Sequence, residues 1–152
     1  FGSRSLRAYI AYKVYLAHKP SEIVFDHPRG LHRAIMSQMR CRHLLIKYSG
    51  SRNPVSRRTG ESTANISAQQ AEAELNEYKA KIEAEGCTEE VFAKYAKQRS
   101  DCGSFREGGD LGEFGPGQMQ KQFEEGTKAT DVGKMSGVVL SDSGYHLIFR
   151  TL

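Results

Sequence analysis

Two histidines and one cysteine are the residues of this chain best suited to chemistry. His43 and His146 are the only histidines beyond residue 40, and Cys102 lies between them in the sequence. A thiol with two imidazoles suits a zinc site, a cysteine nucleophile with a histidine base, or a polar network that tunes an apolar pocket. A structural zinc ion needs four ligands, and Cys41 and Cys87 lack ligand spacing, so we expect neither a metal nor another cofactor. The nucleophile and the polar network both stay open at this point.

Cys102 lies in a glycine-rich stretch, residues 100–123, which reads SDCGSFREGGDLGEFGPGQMQKQF. A phosphate-binding loop is one interpretation of such glycines. However, no Gly-Lys-Ser/Thr ending is present, and Asp110 and Glu113 would repel a phosphate. We therefore interpret the stretch as a turn-rich segment that re-aims side chains around the thiol.

Basic residues surround the start of a long polar loop, residues 49–67. They are Lys47, Arg52, Arg57 and Arg58. An arginine can bind a phosphate dianion through two parallel hydrogen bonds, and a lysine adds a point charge. A loop with four cations is also typical of solvated surface, so the pattern alone leaves both interpretations open.

The elements that must position these groups begin with an apolar strand, CRHLLIKY, at residues 41–48. After the loop, Ser67 and Gln70 have the spacing of a capping box, which predicts a helix start. Thr88 is suited to cap a second helix. The apolar positions of these two helices fall at helical spacing and are predicted to face a core: Ala71, Leu75, Tyr78, Ile82, Val91, Phe92, Tyr95 and Ala96.

The second half of the domain is predicted to return to the sheet. A short strand is expected over Leu111 to Phe114, and a third helix that begins near Gln118 follows it. Residues 137–152, GVVLSDSGYHLIFRTL, are typical of a hairpin around a Ser-Asp-Ser-Gly turn. The order strand, helix, helix, strand, helix, strand, strand indicates an α+β fold with helices covering a small sheet.

The strand assignments predict where the histidines meet. Side chains alternate along a strand, so His43 shares a face with Leu45, and His146 shares a face with Ile148. A lone strand histidine is usually a hydrogen-bonded core residue. Two on the first and last strands, which commonly pair in such folds, could meet inside the sheet near Cys102.

The positive charge of the chain is concentrated before residue 41. The formal net charge is +4, and residues 1–40 hold seven Lys or Arg against two Asp or Glu, which leaves −1 for residues 41–152. We expect residues 1–38 to be a basic extension or linker, largely disordered, that could join an upstream domain. A weak contact with nucleic acid through it is the less favoured interpretation. Residues 39–152 are predicted to form one domain.

The cellular setting is predicted from cysteine usage and hydropathy. Three cysteines without a CxxC pair argue against a disulfide framework and favour a reducing compartment, so we expect the nucleus and cytoplasm. No apolar run approaches the roughly 18 residues that would cross a membrane, so no membrane association is expected.

Three segments carry a family resemblance. CRHLLIKYSGSRNP, QRSDCGSFREGGDLGEFGPGQMQKQF and GKMSGVVLSDSGYHLIFRTL resemble, in order and spacing, the parvulin peptidyl-prolyl cis/trans isomerases. They are most similar to the Pin-type branch, which acts on phosphoserine- and phosphothreonine-proline bonds. The resemblance covers residues 40–152. The chain has no tryptophan, so the WW domain that accompanies many family members is absent from it.

The resemblance implies a parvulin (FKBP-like) fold, in which helices surround a four-stranded antiparallel sheet in the order β-α-α(-α)-β-α-β-β, with an optional extra helix before the second strand. It also implies a monomer and a set of active-site residues. The residues implied for catalysis are His43, Cys102, Ser141, Ser143 and His146. The residues implied for the proline pocket are Leu111, Met119, Gln120 and Phe123. The phosphate-binding residues implied by position are Lys47 and Arg52.

The chain departs from the Pin-type pattern at one position of the implied phosphate site. The Pin-type pattern often has two adjacent arginines, whereas Asn53 follows Arg52 here. Arg57 and Arg58 are the predicted substitutes, provided that the loop folds back. The implied function is isomerisation of phosphoSer/phosphoThr-Pro bonds in phosphorylated partner proteins. The alternative is a proline-directed binding or chaperone module with little turnover.

Overall fold

The computed structural model describes residues 38–152 of the chain. The described elements are β1 (Met39–Ile46), α1 (Ala68–Ala84), α2 (Glu89–Arg99), a 3₁₀-helix (Gly103–Glu107), β2 (Asp110–Phe114), α3 (Lys121–Ala129), β3 (Val139–Ser141) and β4 (Gly144–Arg150). Except for its last position, the predicted extension at residues 1–38 lies outside the described residues.

The four strands form one antiparallel sheet, as the family resemblance implies, and their order is β2-β1-β4-β3. The first and last strands pair at the centre of this sheet. His43 lies opposite Ile148, and Leu45 lies opposite His146. Directly opposed residues share a face of the sheet, so both histidines project from the same side on a diagonal.

The two faces of the sheet have different partners. On one face, Leu44, Ile46, Leu147 and Phe149 pack with the buried residues of α1 and α2 in the larger hydrophobic core. On the other face, Phe123 of α3 belongs to a smaller cluster. The members of that cluster are Met39, Cys41, Phe114, Phe123 and Ile148. The histidines therefore lie on the face that α3 covers.

The predicted starts of the first two helices are confirmed. Ser67 accepts the Gln70 N–H at 3.2 Å, and the Gln70 side chain accepts the Ser67 N–H at 2.8 Å, which completes the capping box. Thr88 accepts the Val91 N–H and caps α2. Gly86, with φ +97°, follows the last turn of α1 and lets the chain leave in the left-handed conformation.

The predicted start of the third helix is wrong by three residues. α3 begins at Lys121 rather than near Gln118. The Gln118 side chain instead accepts the Gly115 N–H at 2.8 Å and closes a turn, with Gly117 at φ +80°. A side chain that bonds backbone before the helix competes with helix formation there. The 3₁₀-helix lies in the glycine-rich segment before β2, where the family order allows an extra helix.

Gly109 marks the closest approach between the glycine-rich segment and β1. It has φ +80°, and its carbonyl accepts the His43 N–H at 2.9 Å. A Cβ at this position would collide with the His43 carbonyl oxygen. Only glycine fits, because any side chain would push the segment away from the strand that carries the histidine.

The predicted strand and loop limits shift slightly. β1 spans residues 39–46 rather than 41–48, because a turn that bonds the Tyr48 N–H to the Ser51 hydroxyl follows directly. The loop at residues 49–67 carries an isolated bridge between Val55 and Ser62. In residues 38–152, no helix has both the length and the apolar content needed to cross a membrane.

Candidate active site

A pair of stacked imidazoles lies at the centre of the site. The Nδ1 atoms of His43 and His146 are 3.1 Å apart, and their ring planes are inclined by 20°. The two residues are 4% and 3% exposed, respectively. Both rings are presented by the central strand pair, so the register of β1 and β4 fixes their separation.

A chain of hydrogen-bond partners extends from each imidazole. His146 Nε2 lies 2.8 Å from the Ser141 hydroxyl, which also accepts the Ser143 N–H at 3.2 Å. At the other end, His43 Nε2 lies 3.1 Å from the Ser104 hydroxyl. The polar chain thus runs from the β3–β4 turn through both rings to the segment that carries Cys102.

Gln120 connects the start of α3 to the β3–β4 turn. Its side-chain amide donates to the Ser143 hydroxyl at 3.3 Å. Gln120 is the residue directly before α3, and Ser143 lies in the β3–β4 turn. This contact links the helix that carries Phe123 to the hairpin that carries His146.

Phe123 forms the floor between the apolar pocket and the imidazoles. Its ring makes edge contacts with His43 at 5.5 Å and with His146 at 5.1 Å between centroids. Leu111 and Met119 are half-buried and pack against the same apolar cluster. Three of the four predicted pocket residues are therefore brought together, with an apolar surface on one side and the histidine pair on the other. The fourth, Gln120, contacts Ser143.

Asp101 holds Cys102 in place through contacts with two other segments. Its N–H donates to a β1 carbonyl at 2.8 Å, and its carbonyl accepts the Arg57 N–H at 3.0 Å. Its buried carboxylate accepts the Lys47 N–H at 3.0 Å. The thiol is consequently fixed between the sheet and the basic loop.

Comparison with known proteins identifies the family. The model of the PPIC-type peptidyl-prolyl isomerase (rotamase) domain matches residues 43–151. The chain belongs to this family, the parvulins. Its sequence is 40% identical over 115 residues to peptidyl-prolyl cis-trans isomerase NIMA-interacting 1 of Theileria annulata, which covers 76% of this chain and 80% of that protein.

Two further similarities agree with this assignment. Peptidyl-prolyl cis-trans isomerase Pin1 of Arabidopsis thaliana is 42% identical over 118 residues, which cover 78% of this chain and 98% of that protein. The solution structure of TbPIN1 has 49% sequence identity and a TM-score of 0.66, and the match covers 76% of this chain and 97% of that one. The predicted parvulin fold and isomerase class are confirmed.

The thiol of the parvulin site ionises readily. Burial opposes ionisation of Cys102, but a hydrogen bond and charge attraction from His43, with further contacts from Ser104, lower the thiol pKa to about 6. Cys102 is half-exposed. A thiolate is therefore the main form at neutral pH, and it lies next to His43.

His146 of the parvulin site stays neutral. Complete burial, followed by the charge of His43, lowers the pKa of His146 well below 6.5. A neutral imidazole donates at one ring nitrogen and accepts at the other. His146 therefore transmits a fixed orientation from Ser141 to His43 without carrying a charge.

The Lys47 side chain is less exposed than its predicted role in phosphate binding suggests. It is 6% exposed, and its ammonium donates to the carbonyls of Asn53 at 2.9 Å and Val55 at 2.7 Å. Burial, and then repulsion from Arg57, lower its pKa. The side chain shapes the basic loop from inside and keeps one ammonium proton for a ligand.

The arginines of the basic loop differ in position. The exposed Arg52 is tied to the β3–β4 turn, because its N–H donates to the Asp142 carbonyl at 2.7 Å. Arg57 is also exposed, and its side chain lies along Gly103, where a Cβ would be 3.5 Å from its Cδ. Arg58 is half-buried, and its Nε has no hydrogen-bond partner among the described residues. The loop thus folds back and brings Arg57 beside the segment of Cys102.

Three residues that support the site were not predicted from the sequence. Ser104 contacts His43, Asp101 fixes Cys102, and Glu124 accepts the Met119 N–H at 3.1 Å. The two acidic residues look like surface charges in the sequence, because nothing local marks them as buried. The Cys-x-Ser spacing of Cys102 and Ser104 was the one available signal.

Proposed function

We propose that this parvulin domain accelerates cis/trans rotation of phosphoserine- and phosphothreonine-proline bonds in phosphorylated proteins. The observation that carries the proposal is a group of cations near the segment that carries Cys102: Lys47, Arg52 and Arg57. Among residues 38–152, none of these three forms an ion pair with a carboxylate, whereas other arginines of the domain, such as Arg40 and Arg99, do. A dianion would relieve their mutual repulsion.

The arrangement provides two anchors on either side of one amide. The apolar surface of Leu111, Met119 and Phe123 suits a proline ring, and the basic loop suits the phosphate of the preceding residue. Lys47 connects directly to the backbone of that loop and to Asp101, which precedes Cys102. With both ends of the amide held, Cys102 and His43 lie beside the bond that rotates.

Rotation requires loss of amide resonance against a barrier of about 18–20 kcal/mol. The planar amide carries partial negative charge on oxygen and partial positive charge on nitrogen, and the twisted amide carries less. An apolar pocket therefore favours the twisted form relative to water, which solvates the planar form well. A gain of about 7 kcal/mol in this preference would accelerate rotation by about 10⁵.

The Cys102 thiolate assists without forming a bond to carbon. A negative sulfur beside the carbonyl destabilises the charge-separated planar amide more than the twisted one. The imidazole pair keeps this sulfur ionised and oriented, because His43 contacts it and His146 fixes the orientation of His43. No acyl intermediate is required for rotation.

Exchange NMR on matched peptides tests the proposal. Three peptides would carry phosphoserine, serine or glutamate before the same proline, and kcat/KM would be measured for each. We expect the phosphoserine peptide to be favoured over the serine peptide by at least about tenfold, since charge-assisted hydrogen bonds to arginine are strong. A ratio near one would overturn phosphate selectivity. Binding without faster exchange would favour the holding module instead.

A further inference from the structure

Glu124 is a buried carboxylate that the isomerisation mechanism does not use. It lies in the first turn of α3 and is 7% exposed. Its Oε1 accepts the backbone N–H of Met119 at 3.1 Å. Its other oxygen lies 3.8 Å from the ammonium of Lys128, one turn further along the helix. A carboxylate is rarely buried unless the fold gives it partners, so its contacts indicate its purpose.

The Glu124 side chain does not cap its own helix. The residue before the helix is Gln120, whereas the N–H that Glu124 accepts belongs to Met119, one residue earlier and outside the helix. Hydrogen bonds from the Met119 backbone hold the pKa of Glu124 below its usual value despite opposing burial, and the backbone of Gly117 and Gln118 adds to this. The Met119 N–H is the hydrogen bond that ties the carboxylate to the turn before the helix.

This turn carries one wall of the proline pocket. Met119 packs against the apolar cluster of Phe123, which contacts both histidines. A methionine side chain is flexible and has little rotamer preference of its own. Its position as a wall therefore depends on how firmly its backbone is held. The Gln118 side chain closes the turn at Gly115, and Glu124 fixes its other end at Met119.

We propose that Glu124 is a positioning residue that sets the Met119 wall of the proline pocket through its hydrogen bond to the Met119 backbone. It acts on the proline end of the substrate. Its effect is therefore the same on phosphorylated and unphosphorylated peptides and does not depend on phosphate selectivity.

Two variants distinguish the effect of the length of the Glu124 side chain from the effect of its charge. Glu124→Gln keeps the length of the side chain and one carbonyl acceptor, whereas Glu124→Asp keeps the charge but is one methylene shorter. We expect Glu124→Asp to raise KM about tenfold for both the phosphoserine and the serine peptide with little change in kcat. The pocket stays apolar in this variant, and a displaced Met119 loses its contact with the proline ring equally in the planar and the twisted amide. Glu124→Gln should stay within about threefold of the parent KM.

The control is Glu125→Gln, since Glu125 is an exposed neighbour that pairs only with Lys121 among the described residues. Thermal unfolding would be recorded for every variant, and the Met119 amide and methyl NMR signals would report the wall directly. We expect these signals to shift in Glu124→Asp and to stay near the parent positions in Glu125→Gln.

The outcomes are distinguishable from those of the phosphate test. An unchanged KM in a folded Glu124→Asp variant would overturn the positioning role. A higher KM in Glu124→Gln than in Glu124→Asp would show that the charge of Glu124 matters more than its length. That result would assign the residue to helix electrostatics and would also overturn the positioning role. A KM increase restricted to the phosphoserine peptide would also contradict it, because the proposed contact acts on proline.

Discussion

His43 and His146 lie diagonally on neighbouring strands, with their Nδ1 atoms 3.1 Å apart and their rings nearly parallel. Two buried imidazoles at this distance cannot both carry a proton at Nδ1. One must accept from the other, and this couples the two tautomers. The β1–β4 register therefore determines the protonation pattern of the site as well as its shape.

Acid should destabilise the domain through His146. Its folded-state pKa lies well below 6.5, so the unfolded chain takes up the proton first as the pH falls. The free energy of unfolding should decline below about pH 6.5, by up to about 1.4 kcal/mol per pH unit, until the folded-state pKa is reached. Urea unfolding between pH 5 and 7.5 measures this slope, and His146→Gln should reduce it. An identical slope in the variant would contradict the assignment.

The ionisation of Cys102 can be measured from its reactivity. Because its thiol pKa is lowered to about 6, alkylation by iodoacetamide should reach half its maximal rate near pH 6. Burial raises the pKa of Cys41 to about 12, so Cys41 should not react in the folded protein. His43→Gln should move the Cys102 midpoint to higher pH. A midpoint that stays near pH 6 in this variant would exclude His43 as the cause.

The role of the sulfur can be separated from nucleophilic attack. Cys102→Asp restores a negative charge without a thiol, so we expect it to keep activity within about tenfold of the parent, whereas Cys102→Ala should lose about 100-fold. Exchange NMR on the preferred peptide gives both values. Equal losses in the two variants would favour covalent catalysis.

The apolar pocket should carry most of the proline binding. Met119→Ala and Phe123→Leu remove apolar surface next to the histidines, and kcat/KM should fall by about 10- to 100-fold. Val132→Ala is the control, because Val132 is 58% exposed and lies outside the site. Full activity in a folded Met119→Ala variant would show that the pocket holds no substrate.

Arg57 should contribute to phosphate selectivity through its position beside Gly103. Arg57→Gln is expected to lower the phosphoserine-to-serine ratio of kcat/KM by about tenfold, mainly through KM. The control is Arg106→Gln, which removes the same charge from the exposed end of the 3₁₀-helix. Equal changes in both variants would indicate a general charge effect instead of a specific contact.

The backbone contact at Gly109 should be intolerant of any side chain. Gly109→Ala combines positive φ with a collision at the His43 carbonyl, so the free energy of unfolding should fall by about 2–4 kcal/mol. Gly112→Ala is a matched control, since it has φ +70° and open space at the Cβ position. Its loss should be limited to about 1–2 kcal/mol. Similar losses would show that the collision is relieved by backbone movement.

Much of the architecture could be read from the sequence because its signals are local. The capping box at Ser67 and Gln70 and the hairpin turn before Gly144 depend on residues close to one another along the chain. The strand alternation also placed His43 with Leu45 and His146 with Ile148, and the register of β1 and β4 then brings both histidines to one face. The start of α3 was missed, since the Gln118 side chain competes with the helix for backbone donors.

The supporting residues of the site could not be read in the same way. Asp101 is a charged side chain that is buried where a distant strand, β1, supplies its partner. Glu124 and Lys47 have partners nearer in the sequence, the Met119 N–H for Glu124 and the carbonyls of Asn53 and Val55 for Lys47. These contacts exist only once the turn before α3 and the basic loop have folded, so a single sequence does not mark them.

The alternation along β1 has a consequence for protein engineering. Leu44 and Ile46 point toward the large helices, while His43 and Leu45 point toward the substrate side. The sheet thus separates the large hydrophobic core on one face from the substrate-binding residues on the other. Mutant libraries restricted to the substrate-binding face could change which prolyl peptides are accepted while the thermal stability supplied by the core is kept.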